Sequence, residues 1–174
     1  MTKRVQLPIS QEDMLSLKAG DPVLLSGKML TGRDAAHKRI VEGLKDGSLS
    51  FDISGATIYY VGPCPAKPGD PIGSCGPTTS YRMDPYVPTL MDNGLKAMIG
   101  KGGRSKDVID AIIRNKAVYF AAIGGAGAIY SQLVKEARVI AYDDLGTEAV
   151  REIEVKDFPV IVAIDHKGNC VYDR

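Results

Sequence analysis

Two patterns of hydrophobic residues alternate along the chain, one typical of β-strands and the other of α-helices. Residues 22–30, 56–61 and 118–123 are short, mostly apolar runs, which predict buried strands. Residues 33–46 carry apolar side chains at helical spacing and are followed by Gly47, which predicts a helix with a glycine at its C-terminal end. This alternation favours an α/β domain with at least one parallel sheet.

The rest of the chain continues the alternation with one interruption. Strands are predicted at 96–99, 139–142 and 159–164, and helices from about residue 78, over 105–115, and from 127 to about 137. The interruption is the segment 62–77, in which nine residues are glycine or proline. Because proline lacks a backbone donor and glycine weakens regular elements, this segment is predicted to be the longest loop.

Length and composition indicate one globular domain spanning residues 1–174. Hydrophobic residues make up 44% and charged residues 25% of the chain, a balance that supports a packed core and argues against disorder. The formal net charge of +1 provides no overall attraction for nucleic acid or an anionic membrane, so we expect neither partner. No apolar run is long enough to span a bilayer and residues 1–6 lack a signal-peptide core, so we expect a cytoplasmic protein.

The three cysteines, Cys64, Cys75 and Cys170, are scattered and form no CxxC pair. The two histidines, His37 and His166, are not spaced from one another or from the cysteines as zinc ligands usually are. We therefore expect reduced thiols and no metal site built by this chain alone.

The string Thr31-Gly32-Arg33-Asp34 lies where a predicted strand ends and a predicted helix begins. Asp34 can cap the helix, which leaves Arg33 near the positive helix end as a candidate ligand for a carboxylate. Taken alone, the string also fits a simple cap preceded by a solvated arginine.

The string from Gly73 to Asp84 holds a second candidate group. Pro77 suits the first turn of a helix, and on that helix Thr78 and Arg82 would lie four residues apart on one face. Arg82 could then bind a carboxylate while the hydroxyl of Thr78 handles a proton. An ordinary threonine cap followed by a surface arginine is an equal alternative.

A third candidate, Lys101, lies in the glycine-rich string 100–105 between a predicted strand and a predicted helix. All three strings follow strands, and in open α/β sheets ligands bind outside the carboxyl ends of the strands. Together they predict one cationic pocket that contains a hydroxyl. Several fixed cations suit a small dicarboxylate better than a neutral sugar or an apolar ligand.

The glycine-rich turn 124–127 offers a competing interpretation as a dinucleotide-binding loop. Tyr130 occupies the place of the third glycine of GxGxxG, and the turn is not in the first βα unit. Close packing of a helix against its strand is therefore the better account of these glycines.

The three strings, together with Gly62-Pro63-Cys64-Pro65-Ala66, resemble the C-terminal domain of class I fumarases over nearly the whole chain. In that family the domain is either fused behind a larger cluster-binding domain or made as a separate β subunit, and a chain of this length starting at Met1 resembles the separate form. The L-tartrate dehydratase β subunit is equally similar in plan. The resemblance implies a swivelling β/β/α domain with mixed sheets and helices.

The resemblance also implies a function, the reversible hydration of fumarate to (S)-malate. The domain would close over a [4Fe–4S] cluster held by three cysteines of a partner α subunit, in a complex expected to be α2β2. Carried over by motif, Arg33, Arg82 and Lys101 resemble the ligands of the substrate carboxylates, and Thr78 resembles the catalytic base.

Several alternatives are open from the sequence. The substrate could equally be tartrate or a methylated analogue, because each presents two carboxylates to the same cations. A non-catalytic, anion-binding regulatory module would use the same pocket. Cys64 and Cys75 match no ligand position of the family, so the resemblance assigns them no role.

Overall fold

A seven-stranded mixed sheet forms the frame of the molecule. The computed structural model describes residues 2–123 and 126–172. Within these ranges the strands are β1 (Lys3–Gln6), β2 (Pro22–Thr31), β3 (Thr57–Tyr59), β4 (Ala97–Gly100), β5 (Val118–Ala121), β6 (Val134–Ala141) and β7 (Val150–Ile164). Their order is β1-β2-β3-β4-β5-β7-β6, and an additional pairing of β2 with β7 closes β2, β3, β4, β5 and β7 into a barrel.

Short helices connect the strands. In the described ranges they are α1 (Gln11–Ser16), α2 (Asp34–Asp46), α3 (Val87–Asp92), α4 (Lys106–Asn115) and α5 (Gly127–Gln132), with 3-10 helices at Ser80–Met83 and Asp143–Glu148. α2 ends before Gly47, whose φ of 76° forms a left-handed cap. α4 begins after Ser105, whose side chain accepts a hydrogen bond from the Val108 N–H. None of these helices is long and apolar enough to cross a membrane.

The long strand β7 closes the barrel. Strands β1 to β5 run parallel to one another, whereas β7 runs antiparallel to β2, β5 and β6. Because β7 has 15 residues, its first half pairs with β6 and its second half with β5, while β2 pairs with it on the other side. The carboxyl ends of β2, β3, β4 and β5 consequently lie together at one end of the barrel.

Alternate side chains of each strand enter two different cores. Inside the barrel, the ring of Phe158 stacks on Tyr130 with centroids 4.3 Å apart and meets Tyr59 edge-on at 5.3 Å. On the outer face, Ile58 and Met98 pack with the buried residues of α2, α3 and α4. Since successive strand side chains point to opposite faces, Ile58 and Tyr59 belong to opposite cores although they are neighbours in sequence.

The α/β class predicted from the sequence is confirmed, but one predicted helix is wrong in its second half. Beyond Gln132 the chain forms β6, which pairs with β7 from Val134 to Ala141. This pairing overrides the helix propensity of residues such as Lys135 and Glu136. For the same reason β7 begins at Val150 rather than at residue 159.

The helix predicted from residue 78 is also wrong. A 3-10 helix covers only Ser80–Met83, and α3 starts at Val87. The Thr78 N–H donates to the Tyr60 carbonyl oxygen at 2.7 Å, so the chain here continues alongside the end of β3. Pro85 would interrupt a longer helix because it lacks a backbone N–H.

Candidate active site

Three loop segments follow the carboxyl ends of β2, β3 and β4 and meet at one end of the barrel. The segment after β2 carries Arg33, the segment after β3 carries Thr78 and Arg82, and the segment after β4 carries Lys101. The parallel register of the three strands brings their ends side by side. All four residues singled out from the sequence therefore lie at this end, which we call the barrel mouth.

Arg33 is the N-cap residue of α2 and is partly buried. Its side chain lies against Gly62, where an added Cβ would be only 2.9 Å from Arg33 Cδ, so a larger residue at position 62 would displace the arginine. Arg33 Nε is buried and has no hydrogen-bond partner among the described residues. Buried donors without a partner are uncommon in folded proteins, so this atom is a feature that needs explanation.

The predicted capping role of Asp34 is wrong. Asp34 is the first residue of α2 rather than its N-cap, and its Oδ2 accepts a hydrogen bond from Arg82 Nε at 3.0 Å. The two side chains are 35% and 44% exposed, so this ion pair contributes on the order of 0–1 kcal/mol to stability. Its effect is to orient Arg82, whose Nη groups are left to bind a carboxylate with two parallel hydrogen bonds.

Thr78 and Lys101 approach each other through sheet-like pairing of their segments. Thr79 and Lys101 form a parallel bridge, and the Ser80 N–H donates to the Lys101 carbonyl oxygen at 2.9 Å. The prediction that Thr78 and Arg82 share one face of a helix is therefore wrong, because Thr78 precedes the 3-10 helix. Thr78 is partly buried, whereas Arg82 and Lys101 are exposed.

A buried ion pair joins the second and third segments. Arg104 Nε donates to Asp84 Oδ1 at 2.8 Å, and Arg104 Nη2 donates to the Tyr60 hydroxyl at 3.2 Å. The guanidinium carbon lies 5.3 Å from the Tyr60 ring centroid and 4.6 Å from that of Tyr119. Sequence reasoning missed this pair, because no local pattern predicts contact between residues that are 20 positions apart.

His37 is fully buried beside Arg33. Its Nδ1 lies 2.7 Å from the Arg33 carbonyl oxygen, to which the Nδ1–H donates, and its ring meets Tyr60 edge-on with centroids 5.3 Å apart. Burial lowers the pKa of His37 to about 4, although the bond to Arg33 opposes this, and the charge of Arg104 lowers the pKa further. The imidazole is therefore neutral at neutral pH.

The cysteines are free thiols with different surroundings. Cys64 is exposed, Cys75 is buried and Cys170 is partly buried. Burial raises the pKa of Cys75 to about 12, with a further contribution from Cys64, so Cys75 stays protonated at neutral pH. Within residues 2–123 and 126–172, no group of three or more His, Cys, Asp or Glu side chains could hold a metal ion.

The turn considered as a dinucleotide-binding loop falls partly outside the described residues, which do not include Gly124 and Gly125. Gly127 is described, and an added Cβ there would lie 2.6 Å from Ser74 Oγ and 2.7 Å from Gly76 N. This glycine therefore permits close packing of α5 against the long loop after β3.

The barrel mouth thus combines arginine and lysine side chains with a hydroxyl at the carboxyl ends of parallel strands, an arrangement that suits a small anion. The model of a family described as the fumarase C-terminus matches residues 1–174. The chain belongs to the fumarase C-terminus family. The resemblance inferred from the motifs and the fold that it implied are confirmed.

Relatives of this fumarase C-terminus chain include two bacterial enzymes and an archaeal protein. The anaerobic class I fumarate hydratase of Escherichia coli K12 is 42% identical over 153 residues, or 86% of this chain. The aerobic class I fumarate hydratase of the same strain is 38% identical over 178 residues, or 98% of this chain. A Methanocaldococcus jannaschii protein provisionally named L(+)-tartrate dehydratase subunit beta is 40% identical over 173 residues, or 95% of this chain.

The chain spans very different shares of these relatives. It covers 28% of the anaerobic and 32% of the aerobic fumarate hydratase, so each similarity concerns one portion of a longer protein. It covers 89% of the M. jannaschii protein.

The depressed pKa of His37 predicts a loss of stability in acid. The unfolded histidine has a pKa of 6.5 and the folded one a pKa of about 4, so the unfolded chain binds more protons between these values. We expect the unfolding free energy of the wild type, relative to that of His37→Gln, to fall by on the order of 3 kcal/mol between pH 7 and pH 4. Urea unfolding of both proteins across this range measures the difference, and a difference that does not change with pH would contradict the prediction.

Proposed function

We propose that this chain is the substrate-binding β subunit of a hydro-lyase that reversibly hydrates fumarate to (S)-malate. The observation that carries the proposal is the grouping of Arg33, Thr78, Arg82 and Lys101 at the carboxyl ends of three adjacent parallel strands. Family membership and the fumarate hydratase relatives support it. A dicarboxylate needs cationic donors for both of its ends, and three cations at one mouth can supply them.

The three cations have different roles in binding the substrate carboxylates. Asp34 holds Arg82 at Nε, so that both Nη groups can face one carboxylate. His37 holds the backbone of Arg33, whose guanidinium supplies a further cation. Lys101 is exposed and adds a point charge on a flexible stem, which can adjust to the second carboxylate.

Thr78 is the group that we propose moves a proton at the substrate carbon. Its backbone N–H is bonded to Tyr60, and the next residue along the chain pairs with Lys101. A hydroxyl is a weak base in water, so this role requires nearby positive charge that favours the alkoxide. Arg82 and Lys101 would provide that charge.

The iron–sulfur cluster implied by the family resemblance would be held by a partner α subunit, in a complex that we propose is α2β2. The described part of this chain does not fit a cluster, because Cys75 is a buried thiol and no three ligands converge. We therefore assign to this chain no step that passes through the cluster. Its own residues bind the carboxylates and move a proton.

A second candidate function is the dehydration of L-tartrate. The chain covers 89% of the M. jannaschii protein whose provisional name gives that activity. Fumarate and L-tartrate each carry two carboxylates, although L-tartrate is saturated and bears two hydroxyl groups. The cations at the barrel mouth suit both substrates.

Reconstitution with a cluster-carrying α subunit from the same organism tests the function. We expect the chain alone to be colourless and inactive, and the iron-loaded complex to have its highest kcat/KM with fumarate in a panel that includes L-tartrate and a methylated fumarate. Turnover of L-tartrate alone would favour the second candidate. A complex that turns over none of these dicarboxylates would contradict the proposal.

In the active complex, Arg82→Met should lower kcat/KM by roughly 30-fold to several-thousand-fold. Closure of the complex over the substrate would desolvate the pair of Arg82 and a carboxylate. The loss of one partner of such a pair costs on the order of 2–5 kcal/mol, and about 1.4 kcal/mol corresponds to a factor of ten. Arg82→Lys should recover part of the activity, since an ammonium cannot reproduce the planar fork. Arg4→Met is the control, because Arg4 lies on β1 and pairs with Asp157 away from the three segments. A folded, iron-loaded Arg82→Met complex with normal kcat/KM would place the substrate elsewhere.

Thr78→Val should lower kcat and leave substrate affinity nearly unchanged, because it removes a hydroxyl at almost constant volume. Thr79→Val is the matched control, since Thr79 joins Lys101 through a backbone pairing and should tolerate loss of its hydroxyl. Single-turnover kinetics, together with binding of a non-reacting dicarboxylate, separate the two effects. The proton-transfer role is wrong if both variants behave alike or if Thr78→Val changes only affinity.

A further inference from the structure

The buried ion pair of Arg104 and Asp84 connects the two segments that carry most of the proposed site. We propose that this pair is a positioning device that sets the distance between Lys101 on one segment and Thr78 and Arg82 on the other. It would thereby determine which length and shape of dicarboxylate the site accepts. The inference rests on the proposed function, because it assumes that both segments bind the same substrate.

The two carboxylate oxygens of Asp84 bind the third segment at separate points. Oδ1 accepts a hydrogen bond from Arg104 Nε at 2.8 Å, and Oδ2 accepts one from the Ser105 N–H at 2.7 Å. Asp84 lies two residues after Arg82, and Arg104 lies three residues after Lys101. The carboxylate therefore joins the two segments close to the cations that they present.

Burial makes this junction rigid. The Arg104 side chain is 0% exposed and that of Asp84 is 10% exposed, so water does not compete for their bonds. The guanidinium lies over the rings of Tyr60 and Tyr119 and also donates to the Tyr60 hydroxyl. Since Tyr60 follows β3 and Tyr119 belongs to β5, the guanidinium is held from two sides of the barrel mouth.

A second contact ties the same segments without any charge. The Tyr119 hydroxyl is hydrogen-bonded to Ser80 Oγ and to the Gly102 carbonyl oxygen, each at 2.7 Å. A Cβ added at Gly100 would overlap Ser80 Oγ, so the segments touch directly there. These contacts join the two segments. The ion pair in addition fixes the direction in which one segment faces the other, because its hydrogen bonds are directional.

Stability alone does not explain why this junction is charged. The desolvation of two buried charges largely offsets their attraction, and an apolar pair of similar size is often equally stable. An apolar pair has no preferred direction of contact. A planar guanidinium that is bonded at Nε and Nη2 and packed against two rings has a single position. The pair is therefore suited to fixing a distance.

The test uses the reconstituted complex and two variants of the pair. Arg104→Lys keeps the charge but loses the planar fork, whereas Arg104→Met combined with Asp84→Asn removes both charges and leaves no unpaired buried carboxylate. Because a misplacement of about 1 Å can reduce turnover about 100-fold, we expect kcat/KM for fumarate to fall by about 10- to 100-fold in both variants. We also expect KM to rise and the ratio of kcat/KM for fumarate to that for L-tartrate to change.

The matched control is the ion pair of Arg114 and Asp92. Arg114 Nε and Nη2 each donate to Asp92 at 3.0 Å, but these side chains are about half exposed and lie at the last turns of α4 and α3. Arg114→Lys should leave kcat, KM and the substrate ratio unchanged. Thermal unfolding of each complex gives the folded fraction at the assay temperature.

Two results would overturn the positioning role. In one, activity falls only in proportion to the folded fraction, with KM and the fumarate-to-tartrate ratio unchanged, as a purely structural pair would require. In the other, both Arg104 variants keep the wild-type constants. A wild-type complex that turns over no dicarboxylate would instead overturn the proposed function, and this inference with it.

Discussion

Closure of the barrel by β7 is the constraint on which the rest of the structure depends. This strand pairs with β2 on one side and with β6 and then β5 on the other, so it joins both margins of the parallel sheet. Because β2, β3 and β4 pair in parallel, their carboxyl ends lie together at one end of the barrel that β7 closes. The loops that follow them begin side by side, although their cationic residues are separated by up to about 70 positions in the sequence.

Electrostatics at the barrel mouth depends on how deeply each charge is buried. The exposed pair of Arg82 and Asp34 is weak and leaves donors for a ligand. The buried pair of Arg104 and Asp84 has its Nε and Nη2 donors occupied, and it holds two loop segments together. Neutral His37 supports the start of α2 without adding a charge. Arg33 thus rests on a buried neutral side chain, and the segments that carry Arg82 and Lys101 are joined by a buried ion pair.

The sequence by itself determined the elements whose signals are local. Strand β2 and helices α2 and α4 were predicted to within one residue at each end, because apolar periodicity and caps such as Gly47 and Ser105 act over a few residues. Short strings also identified the family and the four residues proposed for the site. Their common location was predictable from the rule that ligands bind at the carboxyl ends of parallel strands.

Only the tertiary structure decided which segments pair with one another. Strand β6 formed where a helix was predicted, because pairing with β7 outweighed local propensity. Asp34 binds Arg82 instead of capping α2, and Arg104 finds Asp84 on a different loop. The two ion pairs join residues that are 48 and 20 positions apart, and their geometry exists only in the folded protein. A local pattern reflects interactions among a few residues that are neighbours in sequence. It therefore does not specify contacts between residues on different segments.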